Sequence, residues 1–190
     1  MESRNTLIKA AAIAIEEISI EGLTVREVAK RAKQSTIGIY RNFNGRAGLL
    51  DALFVQGFER LGTAAREAGK RESDPREAVL AAVREYLLLA RKQPQHYRLM
   101  FNPQTTGYAP SSEARTIALA NYEFFVALVA RLEDIGNEAR RIAADLVAMV
   151  HGHVVLRGQN FGPDMEPQEW SAQIMRRVER QLDLLQSKTA

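Results

Sequence analysis

Apolar side chains recur every three or four positions along most of the chain, which is the spacing of an amphipathic α-helix. The first such stretch runs from Leu7 to Ile18, and Gly22 stops it. No convincing strand alternation and no internal repeat interrupt the pattern. The sequence therefore predicts an all-α protein of about nine helices.

Capping residues and helix breakers divide this pattern into segments. Thr24-Val-Arg-Glu27 is a capping box that starts a second helix, which runs to about Ala32, and Ser35 starts a third, which runs to about Asn42. Asn44 is predicted to cap a fourth helix, which runs to about Gly69. The remaining helices are predicted from about Asp74 to Gln93, Gln95 to Asn102, Glu113 to Asp134, Glu138 to Gln159 (ended by Asn160-Phe-Gly-Pro163) and Pro167 to Gln186.

Between Leu23 and Phe43, two short helices are joined by a tight turn, as in a helix-turn-helix that reads DNA from the major groove. We expect its internal core to consist of Val25, Val28, Ala29, Ile37 and Tyr40. The exposed positions are then Arg26, Lys30, Lys33, Gln34, Ser35, Thr36, Gly38, Arg41 and Asn42. Cations and short polar groups of this kind suit phosphates and base edges. The alternative is a plain helical bundle with a solvated polar face.

The positive charge is concentrated near the N-terminus. Residues 1–50 contain eight Lys and Arg side chains against five Glu, whereas residues 51–190 contain 18 basic and 18 acidic side chains. The net charge of +3 therefore arises from the first 50 residues. A local basic excess is what a phosphate-binding surface needs, so the charge distribution supports the DNA-binding interpretation.

The composition excludes several classes of protein. The chain has no Cys, which leaves neither a disulfide framework nor a thiolate metal site. Its longest apolar run, from Ile142 to Leu156, is broken by Asp145, His151 and His153 and is too short to span a membrane. No Ser/His/Asp spacing, Gly-rich phosphate loop or zinc-protease motif is found. We expect a cytoplasmic protein without enzymatic activity, metal, cofactor or membrane partner.

The segment from Leu23 to Leu50 resembles the DNA-binding domain of TetR-family transcriptional regulators. The matching residues are Leu23-Thr24, Val28-Ala29, Ala32, Ser35, Gly38-Ile39-Tyr40, Phe43 and Leu49-Leu50. Family members usually have Gly-Val in the turn where this chain has Lys33-Gln34. We expect either a left-handed Lys33, at a cost of roughly 1 kcal/mol or more, or a different turn. The resemblance implies a DNA-binding domain over residues 1–46 and an effector-binding and dimerisation domain over residues 47–190.

The resemblance also implies which residues meet DNA. The expected contacts to the DNA backbone are Thr24, Arg26, Tyr40 and Arg46. The residues expected where the recognition helix meets the groove are Lys33, Gln34, Ser35, Thr36, Gly38 and Arg41. For Tyr40, a core anchor and a phosphate donor are both open interpretations. Gly38 weakens the helix by about 1 kcal/mol relative to Ala, and we expect it to permit close approach of the DNA.

Two segments of the C-terminal part, Gln93 to Phe101 and Val150-His-Gly152, resemble the WHG type of TetR C-terminal domain, although the Trp of that signature is absent. Met and aromatic side chains line adaptable apolar cavities. The candidate effector-binding residues are Tyr86, Met100, Phe101, Tyr122, Phe125, Met149 and His151. Each of them is also a plausible ordinary core residue.

The predicted helix around residues 142–156 is apolar on nearly all sides, so it needs cover on more than one face. The last predicted helix carries a second apolar stripe, from Trp170 to Leu185. Two copies of each helix would make a four-helix interface. The sequence therefore predicts a homodimer, which suits a two-fold operator.

These features together predict a homodimeric TetR-like regulator that binds double-stranded DNA at a palindromic operator. The expected mode of action is a repressor that a small apolar or amphipathic effector releases. One alternative is a DNA-binding protein without an effector, which acts architecturally or through a protein partner. A second is a helical interaction protein that does not bind DNA.

Overall fold

The computed structural model describes residues 2–132, 135–159 and 165–186. Within these ranges the chain forms nine α-helices, two short 3-10 helices and no strand, which confirms the predicted all-α class. The α-helices are α1 (Glu2–Gly22), α2 (Val25–Ala32), α3 (Thr36–Phe43), α4 (Arg46–Arg71), α5 (Pro75–Lys92), α6 (Pro94–Phe101), α7 (Ser112–Val129), α8 (Ala139–Gly158) and α9 (Pro167–Gln186). The 3-10 helices are Pro103–Thr106 and Gly136–Glu138.

Most helix bounds lie within a few residues of the predicted ones, and the end of α7 is an exception. Helix α7 ends at Val129, earlier than predicted, and the predicted end at Asp134 lies outside the described residues. Asn160-Phe-Gly-Pro163, predicted to end the eighth helix, also lies outside them. Helix α8 itself ends at Gly158, with Gln159 as its C-cap.

Helix α1 contains a break that the sequence pattern did not predict. Ser19 has φ 65° and ψ 168°, which is not helical. Its Oγ accepts a hydrogen bond from Gly22 N at 3.4 Å. The break redirects the last residues of α1, and Ile20 is fully buried beyond it.

The chain divides into two compact units. The first comprises residues 1–60 and 92–120, and the second comprises residues 61–91 and 121–190. Helices α4 and α7 therefore contribute residues to both. The predicted functional boundary between residues 46 and 47 is a different division of the chain, and it stays a prediction.

The core of the first unit forms where α1 packs against α2, α3 and α6. Its fully buried side chains are all aliphatic, so burial of apolar surface holds these short helices together. They include Leu7, Ile15, Ile20, Val28, Ile39, Leu49, Leu50 and Leu53. Leu23 and Phe43, predicted to close the helix-turn-helix at its ends, are both buried.

The predicted core of the helix-turn-helix was wrong at two positions. Val28 and Ala29 are buried as predicted, but Ile37 is 73% exposed and Tyr40 is 59% exposed. The inward residue of α3 is Ile39, which is fully buried. Because a helix turns about 100° per residue, Ile37 lies about 200° from Ile39 and points to the opposite side.

Asn44 was also assigned wrongly, as the N-cap of α4. It is the C-cap of α3, in the left-handed conformation (φ 56°), and its N–H donates to Tyr40 O at 2.9 Å. Gly45 follows with φ 98°, and α4 begins at Arg46. Asn suits both ends of a helix, because its short side chain serves as an N-cap and tolerates the left-handed region.

In the second unit, α5, α8 and α9 each bury an aliphatic face. Trp170 is buried on α9, and the Arg157 guanidinium lies over its ring, 5.1 Å from the ring centroid. Arg76 of α5 donates to Asp183 of α9 at 2.8 Å. The buried aliphatic residues of α8 and α9 are Ile142, Leu146, Val150, Ile174, Val178 and Leu182. Leu156 of α8 and Leu184 of α9 remain about half exposed.

Candidate nucleic-acid interface

Helix α2 begins and ends as its sequence predicts. Thr24 is the N-cap, and its Oγ1 accepts from Glu27 N at 3.1 Å. The Glu27 carboxylate pairs with Arg31 Nε at 2.7 Å, so only the Thr24 half of the predicted capping box is formed. Thr24 itself is exposed at the start of the helix.

The turn after α2 contains a strained cation. Lys33 is left-handed, with φ 52° and ψ 41°, as the first of the two sequence-based alternatives expected. Gln34 N donates to Ala29 O at 2.9 Å, which closes a Schellman turn. Glycine usually occupies the left-handed position of that turn, because a side chain there costs about 1 kcal/mol. The turn therefore retains an exposed Lys at an energetic cost.

Exposed positive charge covers this part of the first unit. Residues 28–50 contain five Lys and Arg side chains and no acidic side chain. Arg31 is neutralised by Glu17 and Glu27. In α2, the turn and α3, all of which the structure describes, the exposed cations that make no ion pair are Arg26, Lys30, Lys33 and Arg41. Unpaired and solvated cations are available to phosphates without breaking a contact within the protein.

The N-terminal end of α3 is open. Ser35 is its N-cap and is exposed, but its hydroxyl makes no capping hydrogen bond. Thr36, the first helical residue, is half-buried. Gly38 N donates to Ser35 O at 3.1 Å, so the Ser35 hydroxyl and the backbone N–H groups of Thr36 and Ile37 are the donors open to an anion at this end.

Gly38 is not required by the packing of the protein. A Cβ added there would meet only Gln34 Oε1, at 3.5 Å, which is ordinary van der Waals contact. Gly38 has no positive φ, so an alanine would not be strained. Gly weakens a helix interior by about 1 kcal/mol relative to Ala. Gly38 therefore lowers the stability of α3, although the packing of the protein does not require it.

Tyr40 lies on the outward side of α3. Its ring lies beside the turn that joins α3 to α4, since a Cβ added to Gly45 would be 3.4 Å from Tyr40 Cε1. The core-anchor interpretation of Tyr40 is wrong, because the side chain is 59% exposed. Its role as a phosphate donor stays a prediction, and the exposed hydroxyl is compatible with it.

Arg46 was predicted to contact the DNA backbone, but its guanidinium is engaged within the protein. Its Nε donates to Leu23 O at 2.8 Å, and a terminal nitrogen donates to Ile20 O at 2.6 Å. These carbonyls lie at the end of α1 and just beyond it, so Arg46 ties α4 to α1. Its contact with phosphate stays a prediction. For that contact, the guanidinium has either to give up these hydrogen bonds or to bind a phosphate while it keeps them.

Two residues that the sequence did not indicate, Ser3 and Arg4, contact the turn and the end of α3. Ser3 Oγ donates to Gln34 Oε1 at 2.8 Å, which fixes the side chain of a predicted groove residue. Arg4 lies over the Phe43 ring, 5.2 Å from its centroid. Both contacts join the first turn of α1 to residues more than 30 positions away. No local sequence signal could have found them.

A buried histidine, also missed, joins helices of the first unit. His96 is 3% exposed, and its Nε2 lies 2.7 Å from Leu53 O, to which it donates. Burial lowers the pKa of His96. The backbone N–H groups of Gln95 and His96 donate to the Glu16 carboxylate at 3.1 and 2.8 Å, and burial raises the pKa of Glu16. These bonds connect α1 and α4 to α6.

The predicted effector-binding residues are divided between the two units. Met100 and Phe101 belong to the first unit. Met100 is buried, and a Cβ added to Gly57 would be only 2.3 Å from its Sδ. The Phe101 ring packs against Phe58 and Tyr97, with centroids 5.5 and 4.8 Å apart. These two side chains are thus parts of a packed core.

The other five predicted residues belong to the second unit. Tyr86 is buried, and its hydroxyl lies 3.3 Å from Nδ1 of His151. Burial lowers the pKa of the half-buried His151, and burial likewise raises the pKa of Tyr122. Phe125 and Met149 are also half-buried. Tyr86 and His151 thus form a polar contact within this group.

Among the residues that the structure describes, no group of three or more His, Cys, Asp or Glu side chains is arranged to hold a metal ion. Likewise, none of the described helices has the length and apolar character needed to cross a membrane.

Two family models match the sequence. Residues 7–53 match "Bacterial regulatory proteins, tetR family", and residues 79–178 match "Tetracyclin repressor-like, C-terminal domain". The second match alone covers 100 of the 190 residues. The finer likeness to the WHG type stays a prediction. A comparison with curated proteins found no match.

Solved structures share the fold over almost the whole chain. A protein of unknown function from Rhodococcus sp. RHA1 is 26% identical, with 94% of each chain covered and a TM-score of 0.75. The TetR family transcriptional regulator PfmR from Thermus thermophilus is 17% identical, with 92% of this chain and 97% of that chain covered and a TM-score of 0.67. The fatty acid degradation regulator FadR from Bacillus halodurans is 18% identical, with 95% and 94% covered and a TM-score of 0.67.

Proposed function

The chain belongs to the TetR family of bacterial regulatory proteins and is a DNA-binding transcriptional regulator, and we propose that it is a homodimeric repressor of a palindromic operator. A small apolar or amphipathic effector releases it from that operator. The protein acts by binding and not by catalysis. The observation that carries this proposal is the exposed cationic surface of the turn and α3.

That surface divides into two kinds of contact. Thr24 and Arg26 at the start of α2, and Tyr40 beside the turn after α3, contact phosphates and fix the protein on the duplex. Arg46 joins them as a backbone contact that also ties α4 to α1. The residues that meet the groove are Lys33, Gln34, Ser35, Thr36, Gly38 and Arg41. The exposed N-terminal end of α3 supports this assignment, because recognition helices contact base edges with their N-terminal residues.

Helices α8 and α9 form the dimer interface in this proposal. Leu156 is 48% exposed and Leu184 is 51% exposed, on helices whose other apolar faces are buried in the second unit. Together with the half-buried Val154 and Val155 of α8, they leave apolar surface on these helices that a second α8–α9 pair would cover. A C2 dimer presents two copies of α3 to two half-sites, which explains why the operator is palindromic.

The effector contacts the second unit near Tyr86 and His151. Both side chains carry a polar atom, and the candidates Tyr122, Phe125 and Met149 of the same unit supply apolar surface. An amphipathic molecule suits such a lining, because one polar group meets the Tyr86–His151 pair while the rest stays apolar. Met100 and Phe101 belong to the first unit and are left out of this contact. Binding then shifts the population away from the DNA-competent state.

Selection of bound sequences from a random duplex library, at two salt concentrations, tests the proposal. We expect a palindromic sequence whose half-sites lie about one helical turn apart. Affinity should fall steeply with salt, since each neutralised phosphate contributes about −0.9 to the slope of log K against log salt. Salt-sensitive binding without a recovered motif would instead support an architectural protein. No binding at either salt concentration would contradict the proposal.

A further inference from the structure

Among the described residues, Ile37 is the most exposed large apolar side chain, at 73%. Single exposed apolar residues are common and need no functional explanation by themselves. Ile37 differs from the others by its place, because it is the second residue of α3, the second helix of the helix-turn-helix. That end of the helix is the one that contacts base edges.

The neighbours of Ile37 face DNA in the proposed complex. Arg41 lies four positions later and Tyr40 three positions later, so all three side chains share one side of α3. Arg41 and Tyr40 are exposed, while Ile39 and Phe43 on the opposite side are buried. Gly38 beside Ile37 adds no side chain, and a Cβ there would meet only Gln34 Oε1 at 3.5 Å. The apolar side chain is therefore surrounded by groups suited to nucleic acid and not by an apolar patch.

Resting on the proposed function, we propose that Ile37 is a specificity residue that contacts the C5-methyl group of a thymine in each operator half-site. In the major groove the thymine methyl is the apolar group on an otherwise polar base edge. A side chain without donors or acceptors gains by burying that methyl. Against cytosine or guanine it would desolvate polar atoms without replacing their hydrogen bonds, which disfavours those bases.

The side chain is well suited to such a contact. Ile is β-branched, and one χ1 rotamer dominates within a helix, so little side-chain freedom is lost on binding. A thymine contact also explains why α3 exposes an Ile four positions from each of two cations, Lys33 and Arg41. The cations supply affinity through phosphates, whereas Ile37 supplies a preference for one base.

The test compares thymine with deoxyuridine, which lacks only the methyl group. Each thymine of the selected operator is replaced in turn, and binding is measured for the wild-type protein and for Ile37→Ala. At one thymine per half-site, the wild type should lose about fourfold in affinity, the change that corresponds to one buried methyl group. The Ile37→Ala variant should bind both duplexes with equal affinity at that position.

Ile13→Ala is the matched control, because Ile13 is 57% exposed on α1 of the same unit. It should keep the full wild-type response to deoxyuridine. If the wild type binds a palindrome but no thymine shows coupling to Ile37, this inference is overturned while the proposed function stands. A selected palindrome with no invariant thymine would overturn it in the same way. If the wild type binds no duplex at all, the proposed function fails as well.

Discussion

Helices α3 and α8 both expose apolar side chains, but their surroundings differ. On α3, Ile37 and Tyr40 are exposed next to unpaired cations and an open helix end. On α8, Leu156 is exposed next to Arg157, whose guanidinium is already paired within the protein with Met165 O and the Trp170 ring. Exposed apolar surface among free cations favours nucleic acid, whereas the same surface among paired charges favours a protein partner or a ligand.

The largest expected effect is a difference in stability between substitutions of two isoleucines in α3. Ile39→Ala should lower the free energy of unfolding by about 2–5 kcal/mol, because it opens a cavity in the core of the first unit. Ile37→Ala should change it by less than about 0.5 kcal/mol, since Ile37 is exposed. Urea denaturation of the wild type and the two variants measures both values. Equal losses at the two positions would show that α3 is rotated from its orientation in this structure.

The next effect concerns Tyr40. Tyr40→Ala should weaken binding to the selected operator by about 1.5–3 kcal/mol if its hydroxyl donates to a phosphate, because hydrogen bonds to charged groups contribute about that much. Stability should change little, because the ring is exposed. Titration of labelled duplex measures the affinity. Tyr40→Phe keeps the ring and removes the hydroxyl, so wild-type affinity in this variant would rule out the phosphate contact.

Gly38→Ala should move stability and binding in opposite directions. The free energy of unfolding should rise by about 1 kcal/mol from the higher helix propensity of Ala. Affinity for the operator should fall, because the added methyl occupies space that the DNA needs. Thermal denaturation and duplex titration measure the two quantities. A variant that is both more stable and equally tight in binding would remove Gly38 from the interface.

The smallest effect is a pH dependence that differs between the two units. Burial lowers the pKa of His96 below its usual value of 6.5, so the unfolded chain takes up the proton first as pH falls. The stabilisation is complete above about pH 6.5 and is lost as pH falls towards the folded-state pKa. His96→Gln should therefore flatten the fall in stability on acidification.

His151→Gln is the control in the second unit, and it should flatten that fall less, because His151 is only half-buried. Denaturant unfolding between about pH 5 and pH 8 covers the range in which an unshifted His titrates. The pKa of Glu16 is shifted in the opposite direction, because burial raises it. Glu16 is present in the wild type and in both variants, so the difference between each variant and the wild type excludes its contribution. An unchanged pH profile in His96→Gln would contradict the assignment.

Local signals made most of the fold predictable. Thr24 caps α2, Ser35 occupies the N-cap position of α3, and Lys33 is left-handed, which was the first of the two alternatives expected for the turn. The errors at Ile37 and Tyr40 arose because the rotation of a short helix about its axis decides which side chains face the core. Eight residues contain little more than two turns, so periodicity alone could not tell whether Ile37 or Ile39 faces inward.

The rest of the candidate site depends on distant contacts. The bond from Ser3 to Gln34, and that from His96 to Leu53, join residues 31 and 43 positions apart. Arg46 was predicted to contact phosphate because the resemblance to the family implied it. Only the fold brings the carbonyls of Ile20 and Leu23 within its reach. Contacts between residues so far apart leave no periodic pattern, so the sequence alone could not predict them.

The central claim is that the free cations of the turn and α3 neutralise DNA phosphates. The most direct test is the slope of log affinity against log salt for the wild type, Lys33→Gln and Arg41→Gln, with the exposed Lys92 at the end of α5 changed to Gln as a control. Each interface variant should lower the slope by about one unit, and Lys92→Gln should leave it unchanged. Identical slopes in all four proteins, or an equal change in Lys92→Gln, would contradict the account.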